Sequence, residues 1–156
     1  MNDLNIQKDC LKALLAGERV KYYCSALEDK VFLLFGNGSV SYFIPEDEMM
    51  LNFRSMEECL YTLDERVVET ICPGNRLKGT DEYRVAGIVR KYLRTDSPEA
   101  EVYVNTELLK HFKAPVLYQS PDPKSMIVVA EDRAGGGETV VGVVMPYKLK
   151  DQKEYE

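Results

Sequence analysis

The chain has 156 residues, 45% of them hydrophobic and 29% charged, with a net charge of −6. That length supports a core without disulfide or metal staples, and that balance excludes wholesale disorder. Both halves carry the acidic excess, which excludes broad phosphate binding and leaves nucleic acid only a local patch.

No basic start leads into an apolar stretch and no apolar run is of membrane length, so the expected location is cytoplasmic, with no membrane contact. Asn37-Gly38-Ser39 matches a glycosylation sequon, which is empty without a secretory route. Cys10, Cys24, Cys59 and Cys72 form no CxxC pair, and His111 is the one histidine, so zinc lacks its usual ligand spacing. Each cysteine lies in or beside an apolar stretch and reads as a reduced thiol behaving as a small hydrophobe.

In chain order, DLNIQKDCLKALLAGE predicts a first helix. Ile6, Cys10 and Leu14 repeat every four residues, Leu11 and Leu15 lie beside them, and Gly17 supplies the left-handed stop. Three strands follow: Val20 to Leu27, VFLLF after the charged turn Glu28-Asp29-Lys30, and SVSYFI after the hairpin chemistry of Gly36-Asn37-Gly38-Ser39. Pro45 ends the third. SMEE, from Ser55, reads as a capping box opening a second helix with Met56, Cys59, Leu60 and Leu63 as its apolar stripe. RVVETI reads as a strand ended by Cys72-Pro73-Gly74-Asn75, and a polar loop runs through Asp81.

Tyr83 to Leu93 reads as one long strand, with an apolar spacing that also allows a helix. EVYVN is the next strand, and Asn105 caps a short helix, TELLKHF. The strands VLYQS, MIVVAED and TVVGVVMPYKL close the chain. VVGVVM, apolar on both faces, suits a central strand covered on both sides or one bordering a partner, with Gly142 allowing a bend or a close backbone approach.

The resulting expectation is one α+β domain over residues 1–150, mainly antiparallel sheet with about three short helices, and a charged tail at 151–156. A helix followed by a three-strand meander occurs twice, about 4–45 and 101–147, which suggests a pseudo-twofold repeat. Any α+β protein can show such a unit twice, so the pattern has a plainer reading as well.

That doubled unit is similar to one domain of a DNA sliding clamp. VYVNTELLKHF looks like the strand and short Leu-rich helix that open the second half of a clamp domain. PVLYQSP, with VVGVVMPYKL later, looks like the closing strands of the bacterial clamp. The resemblance covers chiefly residues 101–149, and 64–82 have no counterpart in it. It implies helices facing a DNA-filled hole, with Lys8, Lys12, Lys110, His111 and Lys113 toward nucleic acid. The simpler reading of these residues is lysines on the wet face of amphipathic helices.

The acidic group Glu46, Asp47, Glu48 precedes Met49, Met50, Leu51 and Phe53. This is either a partner-docking segment with an acidic rim or a solvated turn leading into the core. Seven tyrosines, Tyr22, Tyr23, Tyr42, Tyr83, Tyr92, Tyr103 and Tyr118, fall in expected strands. There they suit either recognition or cross-strand packing.

Catalytic readings are weak. Asp122 with Glu131, Asp132 and Arg133 resembles a metal-nuclease pattern, but an extended strand between them separates its ends by about 25 Å, too far for one ion. A Cys–His111 pair lacks support. Gly135-Gly136-Gly137 lacks the Lys-Ser/Thr of a phosphate loop and precedes a strand.

No catalytic residue, cofactor or metal is therefore assigned. The sequence favours a non-catalytic binding or assembly protein, clamp-like and tied to DNA replication or a mobile element, that engages a protein partner or its own copies. The alternatives are an acidic inhibitor of a host nucleic-acid-handling protein and a metal-dependent nuclease.

Overall fold

The structure is a computed structural model that describes residues 1–24, 30–34, 39–52, 54, 56–58, 70–122, 124–133 and 137–149. Its one α-helix among those residues, α1, is Asp3–Leu15. Asn2 caps it by accepting from the Asn5 amide at 3.1 Å, and Gly17 ends it at φ +80°. Glu18 N–H reaches back to the Ala13 carbonyl and Gly17 N–H to that of Leu14, the closing pattern of a left-handed cap. The helix buries Ile6, Gln7, Cys10 and Ala13.

Seven strands form the larger sheet: β1 (Lys21–Cys24), β2 (Lys30–Leu34), β3 (Val40–Pro45), β4 (Glu57–Glu58), β8 (Val116–Gln119), β9 (Ile127–Arg133) and β10 (Gly137–Val144). Their order is β4-β1-β2-β3-β10-β9-β8, antiparallel throughout except for the parallel β1–β4 pair. The two meanders therefore lie back to back, with the last strand of one against the last strand of the other. β10 is central, as its composition predicts, and Val141 to Val144 are buried.

At Gly142 both expectations hold. The ladder to β9 shifts between Val140 and Gly142, and a Cβ at 142 would lie 2.6 Å from the Ser41 carbonyl oxygen and 2.8 Å from the Phe112 ring. Only a residue without a side chain lets Phe112 and β3 approach that closely.

The smaller sheet is β5 (Leu77–Arg84), β6 (Val89–Arg94) and β7 (Glu101–Asn105), all antiparallel. Leu77, Tyr92, Val102 and Val104 from it share a core with Ile6, Cys10, Tyr42, Ile44, Phe112, Leu117, Ile127, Val129 and Val144. A second cluster, Phe43, Tyr118, Val128, Ala130 and Val143, is built from β3, β8, β9 and β10.

Several expectations are corrected. Residues 83–93 are neither one strand nor a helix, because β5 ends at Arg84 and Val85, Ala86 and Gly87 all take positive φ in a tight turn to β6. The loop expected through Asp81 is the body of β5. Of the helix expected from Ser55, Glu57 and Glu58 are strand β4 on an edge, and Ser55, Cys59, Leu60 and Leu63 lie outside the described residues. Two exposed glutamates there keep the edge from pairing with another chain.

The TELLKHF helix is a single 3-10 turn, Thr106–Leu109, although Asn105 does cap it, accepting from Glu107 N–H. Among the described residues one α-helix thus stands where about three helices were expected. Of RVVETI, Ile71 lies outside any strand and 66–69 lie outside the described residues. Cys10 is buried as expected, its thiol pushed up to about 11 by desolvation, whereas Cys72 is exposed.

Candidate binding face

The side chains singled out from the sequence gather around α1. Lys8 and Lys12 project from it into solvent. Residues 110–113 run alongside: Asn2 N–H donates to the His111 carbonyl, and His111 Nε2 lies 2.8 Å from Asp9 Oδ2. Lys12 and Lys110 line one open recess of about 370 Å³ together with Asp9, Ala13, Ala16 and Glu18. Lys110 and Lys113 border a second, of about 600 Å³, opposite Met1 to Leu4. Among the described residues none of the ammonium groups of Lys8, Lys12, Lys110 and Lys113 has an ion-pair partner.

His111 differs from its expected role. It is largely enclosed, paired with Asp9, and set edge-on to the Tyr42 ring at 5.9 Å. It fastens the 110–113 segment to the helix.

The acidic segment lies on the other flank of α1. Glu46–Glu48 is a 3-10 turn, and the buried Gln7 side chain spans to it. Gln7 Nε2 donates to the Glu48 carbonyl at 3.1 Å, and Gln7 Oε1 accepts from Met50 N–H at 2.7 Å. Met49 and Leu51 pack on the core, while Met50 stands 67% exposed and Asp47 is exposed. Phe53 lies outside the described residues and nothing is described of the Glu46 side chain.

A carboxylate cluster lies beneath this flank. Asp3, Glu48 and Glu131 surround the Met1 ammonium and line a cavity of about 170 Å³ with Phe43 and Val141. Desolvation, then the hydrogen bond and charge of Glu48, push the Asp3 carboxyl up to about 7. Glu131 accepts from the Met1 ammonium and from Lys113 N–H, both at 2.5 Å, so it ties α1 to β9. Asp122 accepts from Lys124 N–H inside its own turn. The nuclease pattern thus resolves into a turn and a tether, and among the described residues no group of three His, Cys, Asp or Glu could hold a metal ion.

What sequence reasoning missed is the helix surface between those flanks. Leu11 and Leu15 were read into the apolar stripe, yet Leu4, Leu11 and Leu15 are 57%, 47% and 80% exposed. At 3.6 residues per turn, Leu11 and Leu15 fall within about 20° of the direction of Leu4. The signal was present, since α1 holds more apolar residues than one face can bury. The buried face follows Ile6, Cys10 and Ala13, with Gln7 held by backbone partners.

The tyrosines lie in strands as read. Tyr42, Tyr92 and Tyr118 are buried and Tyr22 packs against the core, so packing accounts for these four, whereas Tyr83 is 45% exposed. Compared with family models, curated proteins and solved structures, the chain matches none. Among the described residues no helix is long and apolar enough to cross a membrane.

Proposed function

We propose that the protein is a non-catalytic binding or assembly protein whose contact surface is the outward side of α1, with residues 110–113 as its border. One observation carries this reading: three leucines stand exposed along a helix whose opposite side is fully used by the core. Contiguous exposed apolar rows cost solubility and mark contact surfaces. The unpaired lysines beside them fit a role in recognition, since charges at a rim steer encounter and fix orientation.

The test is a photo-reactive residue placed at position 15, compared with one at Glu99, which is exposed far along the chain. Adducts formed in the producing cells from position 15 and not from position 99 are expected. Equal labelling from both, or none from 15, would remove the reading.

A second, clamp-like reading is favoured by the back-to-back meanders about β3 and β10 and by the recesses that bring Lys12 to Lys110 and Lys110 to Lys113. It requires a closed oligomer joined through sheet edges that retains duplex DNA in low salt and loses it as salt rises. Sedimentation showing no assembly larger than a dimer would set it aside.

A further inference from the structure

We infer that the outward side of α1 is a two-fold seam on which a second copy of this chain docks with its own α1 parallel. This rests on the reading of that side as a contact surface and names its occupant. Charge complementarity across a polarised face selects that occupant. Looking onto the leucine row, Lys8 and Lys12 lie about 40° and about 80° round from Leu4 on one flank. On the other flank is Gln7, and through its two hydrogen bonds the Glu46–Glu48 turn, with Asp47 and the exposed Met50.

One flank is therefore basic and the other acidic and apolar. Of the carboxylates near α1, Asp3 is turned toward Glu48 on the acidic flank, whereas Asp9, 2.8 Å from His111 Nε2, lies with Glu18 in the recess of Lys12 and Lys110, so Lys8 is the cation that defines the basic flank. Glu18 stands beyond the last turn.

Symmetry selects the arrangement. A two-fold axis across the helices makes them antiparallel and sets each lysine flank against the same flank of the other copy, which like charges oppose. An axis along the helices makes them parallel and sets Lys8 of each copy beside the acidic turn of the other. Leu4 and Leu11 are seven residues apart, the repeat that keeps one seam facing a parallel partner. Leu15 and Met50 add apolar surface to the same contact.

The experiment is sedimentation equilibrium of the whole chain from about 1 to about 300 μM, a range that spans weak self-association. A reversible monomer–dimer equilibrium is expected. Leu11→Asp places a charge in the seam and should weaken the dimer at least about tenfold, with the circular-dichroism melt retained because the site is exposed. Lys8→Glu should weaken it about fivefold, and Lys8→Glu with Asp47→Lys should recover it.

A monomer at every concentration overturns the proposal, as does a dimer indifferent to Leu11→Asp. Failure of the double charge exchange to recover association overturns the parallel arrangement. If the wild-type chain is monomeric while position 15 still yields adducts with another molecule, the contact-surface reading survives and the second copy does not. If neither occurs, both fall.

Discussion

Arg94 shows how much one buried charge can hold. Its guanidinium is 4% exposed and makes four hydrogen bonds to three groups: Asp96 through Nε and Nη2 at 2.9 and 2.8 Å, the Gln119 carbonyl through Nη1 at 2.8 Å, and Asn75 Oδ1 through Nη2 at 2.9 Å. It joins β6 to β8 and to the turn before β5, so both sheets depend on it. Arg94→Met keeps roughly the volume but removes the buried donor from the Gln119 carbonyl and from Asn75 Oδ1. A loss of about 3 kcal/mol in urea unfolding is expected, against less than about 1 for Asp96→Asn, whose carboxylate is half exposed.

Asp3 gives the opposite kind of dependence. Its carboxyl is raised from 3.8 to about 7, so the folded chain binds the proton more tightly than the unfolded one. Its contribution is full below pH 3.8 and is lost as pH rises through 7. Asp3→Asn should abolish that slope. After discounting for its partial exposure, the variant should be about 1 kcal/mol more stable than wild type at pH 8, about a third of that at pH 5, and no more stable below pH 3.8, read from paired melts.

At the scale of elements, the β5–β6 turn carries its cost in backbone geometry. Val85, Ala86 and Gly87 have φ of 50°, 57° and 82°, and L side chains pay steric energy there. Around Gly87 no atom lies within 4 Å of an added Cβ, so Gly87→Ala should cost about 1 kcal/mol through conformation alone. Ala86→Gly should gain about 0.5 kcal/mol, the relief of a left-handed alanine less the greater freedom of glycine unfolded. Equal and small effects for both would mean that the turn relaxes in solution.

This turn also shows where sequence reading stops. α1 was legible from its four-residue spacing and its glycine stop, and the β8–β10 meander from β-branched runs. Tyr83 to Leu93 was not, because Val-Ala-Gly-Ile contains none of the Asn-Gly or Pro signals of a tight turn and its apolar residues bridge the reversal. The lysine side of α1 could be read from spacing. Its exposed leucines could not, because which of two apolar stripes is buried depends on Phe112 and Val104, far along the chain.

For the whole molecule, two further links add to Arg94 and the shared core in holding the two sheets together. Arg76 bridges Tyr118, carrying β8 on to β5, and Tyr147 N–H donates to the Tyr103 carbonyl at 2.7 Å, carrying the segment after β10 on to β7. The strands β10-β9-β8 and β5-β6-β7 thereby close a circuit around the core shared by Tyr92, Val104, Leu117 and Ile127. Each link is one or two hydrogen bonds, worth about 1 kcal/mol each, whereas the β9–β10 ladder pairs seven residues on each strand. The circuit should therefore open at the links.

A chain stopped after Val144 lacks the Tyr147 link and leaves the outer edge of β7 unpaired, while β9 and β10 keep their ladder. Amide exchange should then accelerate about tenfold in β6 and β7, with β9 and β10 nearly unchanged, since losing a contact worth about 1.4 kcal/mol opens a local unit by that factor. Uniform acceleration across all ten strands would mean that the two sheets unfold as a single cooperative unit.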